Sequence, residues 1–201
     1  TQLVETVRRH QPSISRTNAK NRVLELLSSV DFPDPKRVAA SYPHQMSGGM
    51  CQRVGIALSI ACEPEILIAD EPTTGLDVLV QATILLLLKR EHARRKLPII
   101  LITHDLAVVR ALSTRVIVMY AGKIQEEGPA DTVLSNPQHP YTKALISAVP
   151  HSHHAGQRLN QIKGQPPDLL KLPAGCSFSD RCQVATPMCS VSIPDLYLAP
   201  S

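Results

Sequence analysis

Two adjacent acids follow a short apolar run in the chain. Residues 66–69 have the profile of a buried parallel strand, and Asp70 and Glu71 come directly after it. Open α/β sheets bind their ligands at the carboxyl ends of such strands. Asp70 is therefore suited to hold a Mg²⁺ ion through a water, and Glu71 to polarise a water for in-line attack on a γ-phosphate. Taken alone, the two acids are also compatible with a polar turn that only ends a strand.

A histidine follows the next predicted strand, residues 99–103. Because His104 then lies at the same sheet edge as Glu71, its imidazole can donate a hydrogen bond to a γ-phosphate. A lone histidine after a strand is more often structural than catalytic. The functional interpretation of His104 therefore depends on its neighbours.

A serine and two glycines open a predicted helix that runs from Ser47 to about residue 62. Ser47 is a good N-cap, and Gly48 and Gly49 let backbone N–H groups approach an anion at the start of the helix. Such a turn suits a phosphate, although a plain serine cap after a glycine turn also explains it. Farther along, residues 73–77 form a tight turn that carries another acid, Asp77.

Helices and strands alternate around these residues. Helical periodicity also covers residues 1–30, 78–95 and 106–112, and strands are predicted at residues 99–103 and 115–120, with residues 124–126 pairing back as a hairpin. This alternation predicts an α/β fold with a largely parallel sheet. After about residue 136 prolines recur and the periodicity fades, which indicates a loop-rich extension.

The composition argues against several kinds of protein. The net charge of +4 is small, and Lys and Arg do not alternate with aromatic residues, so no nucleic-acid partner is predicted. The longest apolar stretch, residues 82–88, is far shorter than the roughly 20 residues of a membrane span. No secretory signal opens the chain. Because Thr1 lies inside a helical pattern, the chain is interpreted as a fragment.

In this order and at these spacings, the motifs resemble the ATPase domain of ATP-binding-cassette (ABC) proteins. The resemblance covers residues 42–122, with the signature motif at residues 47–52, Walker B at 66–71, the D-loop at 75–77 and the switch histidine at His104. It implies catalytic roles for Glu71 and His104 and a Mg²⁺ ligand at Asp70. The residues expected to contact ATP held by a second subunit, or to lie at the interface with it, are Ser47, Gly48, Gly49, Met50, Gln52 and Asp77.

Two further segments resemble the ATP-binding subunits of bacterial dipeptide, oligopeptide and nickel importers. They are Tyr42-Pro43-His44-Gln45 and His139-Pro140-Tyr141-Thr142. The resemblance implies ATP hydrolysis coupled to peptide import, with ATP and Mg²⁺ as cofactors. It also implies a second ABC ATPase subunit in a homo- or heterodimer, a transmembrane permease, an indirect link to a substrate-binding protein, and a place on the cytoplasmic face of the bacterial inner membrane. A soluble ABC ATPase acting on DNA or ribosomes and a non-catalytic remnant are the alternatives.

The expected fold is the C-terminal part of an ABC-type, RecA-like nucleotide-binding domain. It consists of a helical subdomain at about residues 1–62, part of the RecA-like core at about 63–135, and a truncated extension at 136–201. The 201 residues contain no G-x-x-x-x-G-K-[ST] sequence, the phosphate-binding loop of such domains. The isolated chain is therefore not expected to bind ATP tightly.

Three cysteines lie near the end of the chain, at Cys176, Cys182 and Cys189. Their spacing lacks the C-x2-C pair of most zinc sites. It resembles the extension of peptide-importer ATPases, in which a fourth cysteine follows and a [4Fe-4S] cluster is implied for the full-length protein. Three free structural cysteines are an equal alternative. His151, His153 and His154 are interpreted as a solvated linker rather than as a metal-binding tract.

Overall fold

The computed structural model describes residues 2–149 and 161–196. The chain forms two compact units, which divide between His104 and Asp105. The three neighbouring histidines, His151, His153 and His154, lie outside the described residues. The domain boundary expected near residue 136 stays a prediction.

The first unit is built from helices and one pair of strands. Its elements are α1 (Gln2–His10), α2 (Arg16–Ser29), α3 (Pro35–Ala40), α4 (Gly48–Ile60), β1 (Leu67–Asp70), α5 (Val78–Arg95) and β2 (Ile99–Ile102). The predicted bounds of α5 are the observed ones. The helix predicted over residues 1–30 is instead two helices, because Pro12 interrupts it and Ser15 caps the second one by accepting from the Asn18 N–H at 3.1 Å.

The two strands of this unit pair in parallel, as the sequence predicts. Leu67 lies opposite Ile99 and Asp70 opposite Ile102, so both strands end at the same edge. The peptide N–H of Glu71 continues the ladder by donating to the Ile102 carbonyl oxygen at 2.9 Å. This register brings the residues that follow β1 next to those that follow β2.

The core of the first unit is aliphatic. Leu26 and Leu27 of α2, Ile60 of α4, and Leu87 and Leu88 of α5 are almost completely buried. The chain has no Trp, so branched aliphatic side chains fill this volume. One face of the strand pair is open, and its four isoleucines are between 48% and 64% exposed: Ile66, Ile68, Ile100 and Ile102.

The second unit contains a hairpin and four α-helices among its described residues. Its elements are α6 (Leu106–Leu112), β3 (Arg115–Tyr120), β4 (Lys123–Pro129), α7 (Ala130–Ser135), α8 (Pro140–Ser147) and α9 (Met188–Val191). The predicted hairpin is confirmed, with β3 antiparallel to β4. Ala121 and Gly122 form its two-residue loop at φ +49° and +76°, the backbone that the twist of a hairpin favours.

Helix α8 lies in the segment expected to be loop-rich, and its capping explains why it forms. The Glu126 carboxylate accepts from the N–H groups of Gln138 at 2.7 Å and His139 at 3.0 Å. His139 Nδ1 accepts in turn from the Tyr141 N–H at 3.1 Å. These contacts satisfy backbone donors at and just before the helix N-terminus. Glu126 comes from β4, so the cap depends on a residue that is distant in sequence.

An aromatic cluster joins the cysteine-containing segment to the hairpin. The Phe178 ring lies 5.3 Å from the ring centroids of both Tyr120 and Tyr141, and Phe178 is 2% exposed. Arg181 donates to the Tyr120 hydroxyl at 3.0 Å and to the carbonyl oxygens of Ile162 and Lys163. Tyr141 of the His-Pro-Tyr motif therefore helps to pack this segment.

None of the helices among residues 2–149 and 161–196 combines the length and the apolar character that a membrane span requires.

Candidate catalytic edge of the strand pair

Glu71 stands at the centre of the candidate site, with both carboxylate oxygens engaged. Oε1 lies 2.7 Å from His104 Nδ1, and Oε2 accepts from the Thr74 hydroxyl at 2.8 Å. Its backbone takes φ +46°, a left-handed conformation that is uncommon for a residue with a side chain and that often marks functional sites. The predicted proximity of Glu71 and His104 is therefore found.

These hydrogen bonds favour the ionised form of Glu71. The pKa of the Glu71 carboxyl lies below its ordinary value. The hydrogen bond with His104 is the largest cause, and the hydrogen bond from Thr74 is the next. An ionised carboxylate is the form that accepts a proton from water. Glu71 is therefore held as a carboxylate, the form that a general base requires.

Asp70 ends β1 and is exposed at the same edge. Mg²⁺ keeps several waters and uses only one or two protein carboxylates together with substrate phosphates. A single solvated carboxylate beside Glu71 fits that requirement. The described residues contain no group of three or more His, Cys, Asp or Glu side chains that could hold a metal ion by themselves.

Ser47 caps α4 as predicted, with its hydroxyl oxygen accepting from the Met50 N–H at 3.3 Å. The glycines that follow have a packing reason that the sequence does not reveal. A Cβ at Gly49 would lie 2.4 Å from Val80 Cγ1, and one at Gly48 would lie 3.3 Å from Leu76 Cδ2. The N-terminus of α4 therefore lies directly against residues 76–80.

Gln52, one turn further along α4, lines a groove of about 210 Å³ together with Asp70 and Pro72. This groove connects the helix that carries the signature residues with the end of β1. The structure therefore brings Gln52 close to the acidic edge, whereas the sequence placed it only on the signature helix.

Asp77 caps α5. Its Oδ1 accepts from the N–H groups of Leu79 at 3.1 Å and Val80 at 3.0 Å. The two residues after it, Val78 and Leu79, are 79% and 81% exposed. Asp77 thus has a structural role in its own helix, beside an apolar surface.

Sequence reasoning missed Thr74 and Gln81. Thr74 contacts Glu71, and the Gln81 side-chain amide donates to the carbonyl oxygens of Thr73 at 3.2 Å and Leu76 at 3.1 Å. Polar residues are ordinary in turns and first helical turns, so neither type carries a signal by itself. Their contacts with Glu71 and with the turn formed by residues 73–76 are visible only in the structure.

The three terminal cysteines do not form a metal-binding group in the part of the chain that the structure describes, so the expected iron–sulfur cluster is not supported. The backbone N–H of Cys176 donates to the Cys189 carbonyl oxygen at 2.7 Å. The Cys189 thiol lies 3.4 Å from the Thr186 hydroxyl, and this contact lowers the pKa of the thiol. All three cysteines are half-buried free thiols.

Comparison with known proteins identifies the family. A family model described as "ABC transporter" matches residues 2–74, and one described as "Oligopeptide/dipeptide transporter, C-terminal region" matches residues 125–189. The dipeptide transport ATP-binding protein DppD of Bacillus subtilis is 48% identical over 193 residues, which are 96% of this chain and 57% of that protein. The chain belongs to the family of ABC transporter ATP-binding proteins.

Another member of the family, DppD of Escherichia coli, is 43% identical over 197 residues, 98% of this chain and 60% of that protein. The chain thus spans about three-fifths of the length of these curated relatives. Among solved structures, the ATP-binding cassette MJ0796, a dimer in a post-hydrolysis state bound to ADP and phosphate, matches with a TM-score of 0.52 and 33% identity. That match covers 59% of this chain and 50% of the cassette. The predicted α/β ABC fold is confirmed.

Proposed function

We propose that the chain is the hydrolytic part of the ATP-hydrolysing, energy-coupling subunit of an ABC importer for peptides. The observation that carries this proposal is the Glu71 carboxylate, held by His104 and Thr74 beside Asp70 at the end of paired parallel strands. This is the group that in-line hydrolysis of a γ-phosphate requires. The 201 residues contain no G-x-x-x-x-G-K-[ST] sequence, and we propose that the chain alone is inactive.

In the proposed reaction, Glu71 orients a water and takes its proton as the water oxygen forms a bond to the γ-phosphorus. The bond between that phosphorus and the bridging oxygen breaks, and ADP leaves with the electron pair. The His104 ring, which lies against Glu71, would donate a hydrogen bond to the γ-phosphate. Asp70 would hold Mg²⁺ through a water, and the ion would supply neutralisation of phosphate charge.

The signature residues act on ATP bound by a second ABC ATPase subunit, identical or related. Ser47, Gly48 and Gly49 present the N-terminus of α4 to phosphate, with Met50 and Gln52 behind them. Asp77 lies at the interface between the subunits. The exposed side chains of Val78 and Leu79 beside it offer apolar area for that contact. The dimeric state of the MJ0796 cassette supports this arrangement.

Similarity to known proteins supports a proposal for the cargo and the partners. The relatives are dipeptide transport ATP-binding proteins, and residues 125–189 match the oligopeptide/dipeptide C-terminal region. We therefore propose dipeptides or oligopeptides as cargo, with nickel as the alternative. The partners are a transmembrane permease and, indirectly, a substrate-binding protein, and the subunit works on the cytoplasmic face of the bacterial inner membrane. Nucleic acid is not a partner.

The test is steady-state ATP hydrolysis by the full-length protein carrying Glu71→Gln. Loss of a general base is expected to lower turnover roughly 10²- to 10⁴-fold. Glu5→Gln makes the same chemical change on the exposed surface of α1 and should leave turnover unchanged. Wild-type turnover in Glu71→Gln would remove the proposed role of Glu71.

A further inference from the structure

The Gln81 side chain forms hydrogen bonds with the loop that precedes its helix, α5. Its Nε2 amide group donates one hydrogen to the Thr73 carbonyl oxygen at 3.2 Å and one to the Leu76 carbonyl oxygen at 3.1 Å. An amide NH₂ group has two hydrogens, so both are used. Gln81 is half-buried and Thr73 is 5% exposed, so water replaces these bonds poorly if the side chain is removed.

Helix α5 does not depend on Gln81 for capping. Asp77 Oδ1 already accepts from the Leu79 and Val80 N–H groups in the first turn. The two acceptors of Gln81 both lie before the helix, at the two ends of the turn formed by residues 73–76. The turn includes Gly75 at φ +74°. Gln81 thus braces the turn across both ends.

The braced turn touches two parts of the candidate site. At one end the Thr74 hydroxyl donates to Glu71 Oε2 at 2.8 Å. At the other, the Leu76 side chain packs so near α4 that a Cβ at Gly48 would lie 3.3 Å from its Cδ2. Movement of the turn therefore changes the surroundings of the base and of the signature glycines together.

We propose that Gln81 is a positioning residue, which fixes the turn at Thr73 and Leu76 and thereby keeps the Thr74 hydroxyl on the Glu71 carboxylate. Gln81 itself touches neither the attacking water nor phosphate. The effect of Gln81 on the rate of ATP hydrolysis rests on the proposed function, whereas its effect on the conformation of residues 73–76 does not. The two can therefore be tested separately.

The kinetic test uses Gln81→Met in the full-length protein, because Met keeps the length and helix propensity of Gln and removes both donors. A misplaced base is expected to lower kcat roughly ten- to hundredfold. KM for ATP should not change, because both amide hydrogens of Gln81 are donated to backbone carbonyl oxygens of its own turn. Thr74→Val should act in the same direction, and the double variant should be no slower than the slower single variant, because both act through one contact.

Gln125→Met is the matched control. The Gln125 amide bridges the carbonyl oxygens of Tyr120 and Lys123 at the β3–β4 turn, at 3.5 and 3.4 Å, so the same change is made at a different turn. Its kcat should equal that of the wild type. A wild-type kcat in Gln81→Met, or fully additive losses in the double variant, would overturn the proposal.

A second measurement separates this inference from the proposed function. In the 201-residue chain, Gln81→Met should shift the backbone amide resonances of Thr74 and Leu76 and speed their hydrogen exchange, with resonances of α2 unchanged. If the full-length wild type proves not to hydrolyse ATP, these shifts still support the positioning role, and unchanged resonances refute it. If Gln81→Met does not fold, Gln81→Asn carries the same expectations, because its amide is one methylene too short to reach both carbonyl groups.

Discussion

His104 and Thr74 each contact one oxygen of the Glu71 carboxylate, and Gln81 donates to the turn that carries Thr74. These three residues differ in how far they can be predicted. His104 was predictable, because residues that follow neighbouring parallel strands meet at one edge. Thr74 and Gln81 were not, because their roles depend on a turn whose backbone contains a positive φ at Gly75. Sequence patterns locate strand ends well, but the path of a four-residue turn is set by local contacts.

One prediction at this scale concerns the ionisation of Glu71. Thr74→Val removes one hydrogen bond to the carboxylate and should raise the pKa of Glu71. His104→Ala alone should raise the pKa by more than Thr74→Val does, because His104 is the larger cause. The measurement is a ¹³C NMR titration of the carboxyl carbon. Because the folded-state pKa is depressed, the stability from these bonds is present above the ordinary carboxyl pKa and is lost as pH falls through the lowered value. An unchanged pKa in both variants would show that neither bond forms in solution.

Among the elements, helices with an apolar pattern such as α5 and α6 were predicted, whereas the short helix α8 was not. The bounds of α5, α6 and β3 agree with the pattern of apolar residues. Helix α8 was missed although Pro140 at its start and the His139 cap are local signals. The contacts of Glu126 in β4 with the Gln138 and His139 N–H groups have no local signal. The break between α1 and α2 had a local signal, Pro12, which the long helical periodicity obscured.

The packing of α4 against α5 gives a prediction with an internal control. Gly49→Ala would place a Cβ 2.4 Å from Val80 Cγ1, so we expect a loss of about 1–3 kcal/mol in the free energy of unfolding. Gly55→Ala lies in the same helix with nothing within 4 Å of the new Cβ. It should stabilise the chain by about 0.5–1 kcal/mol through helix propensity. Urea unfolding followed by circular dichroism measures both, and equal effects would contradict the close packing.

The aromatic cluster gives a second prediction for an element. Phe178→Ala removes the ring that packs against both Tyr120 and Tyr141 and should cost about 3–5 kcal/mol of stability in the second unit. Leu170→Ala, at a residue that is 93% exposed in the same part of the chain, should change it by no more than about 0.5 kcal/mol. Tyrosine fluorescence during denaturation reports on the unit. A neutral Phe178→Ala variant would show that the cluster does not hold this segment.

For the whole molecule, the sequence contains the candidate residues Asp70, Glu71 and His104 and no G-x-x-x-x-G-K-[ST] sequence. The relatives are longer, and the chain spans about three-fifths of their length. The isoleucine face of β1 and β2 is open in the structure. The family was predictable because four short motifs occur in a fixed order, whereas the division into compact units at His104 was not.

A prediction at this scale is that the 201-residue chain binds ATP only weakly. Without the backbone amides and lysine of a phosphate-binding loop, most contacts to the β- and γ-phosphates are missing. Isothermal titration should give a Kd above about 1 mM, corresponding to less than about 4 kcal/mol of binding free energy. Micromolar binding would show that the described residues hold nucleotide by a different route.

Single-turnover hydrolysis by the full-length protein tests the central claim most directly, because it separates ATP binding from chemistry. Glu71→Gln should bind ATP as tightly as the wild type and convert the bound ATP to ADP roughly 10²- to 10⁴-fold more slowly. That result would place Glu71 in the chemical step. Conversion at the wild-type rate with binding intact would contradict the assignment of Glu71 as the base.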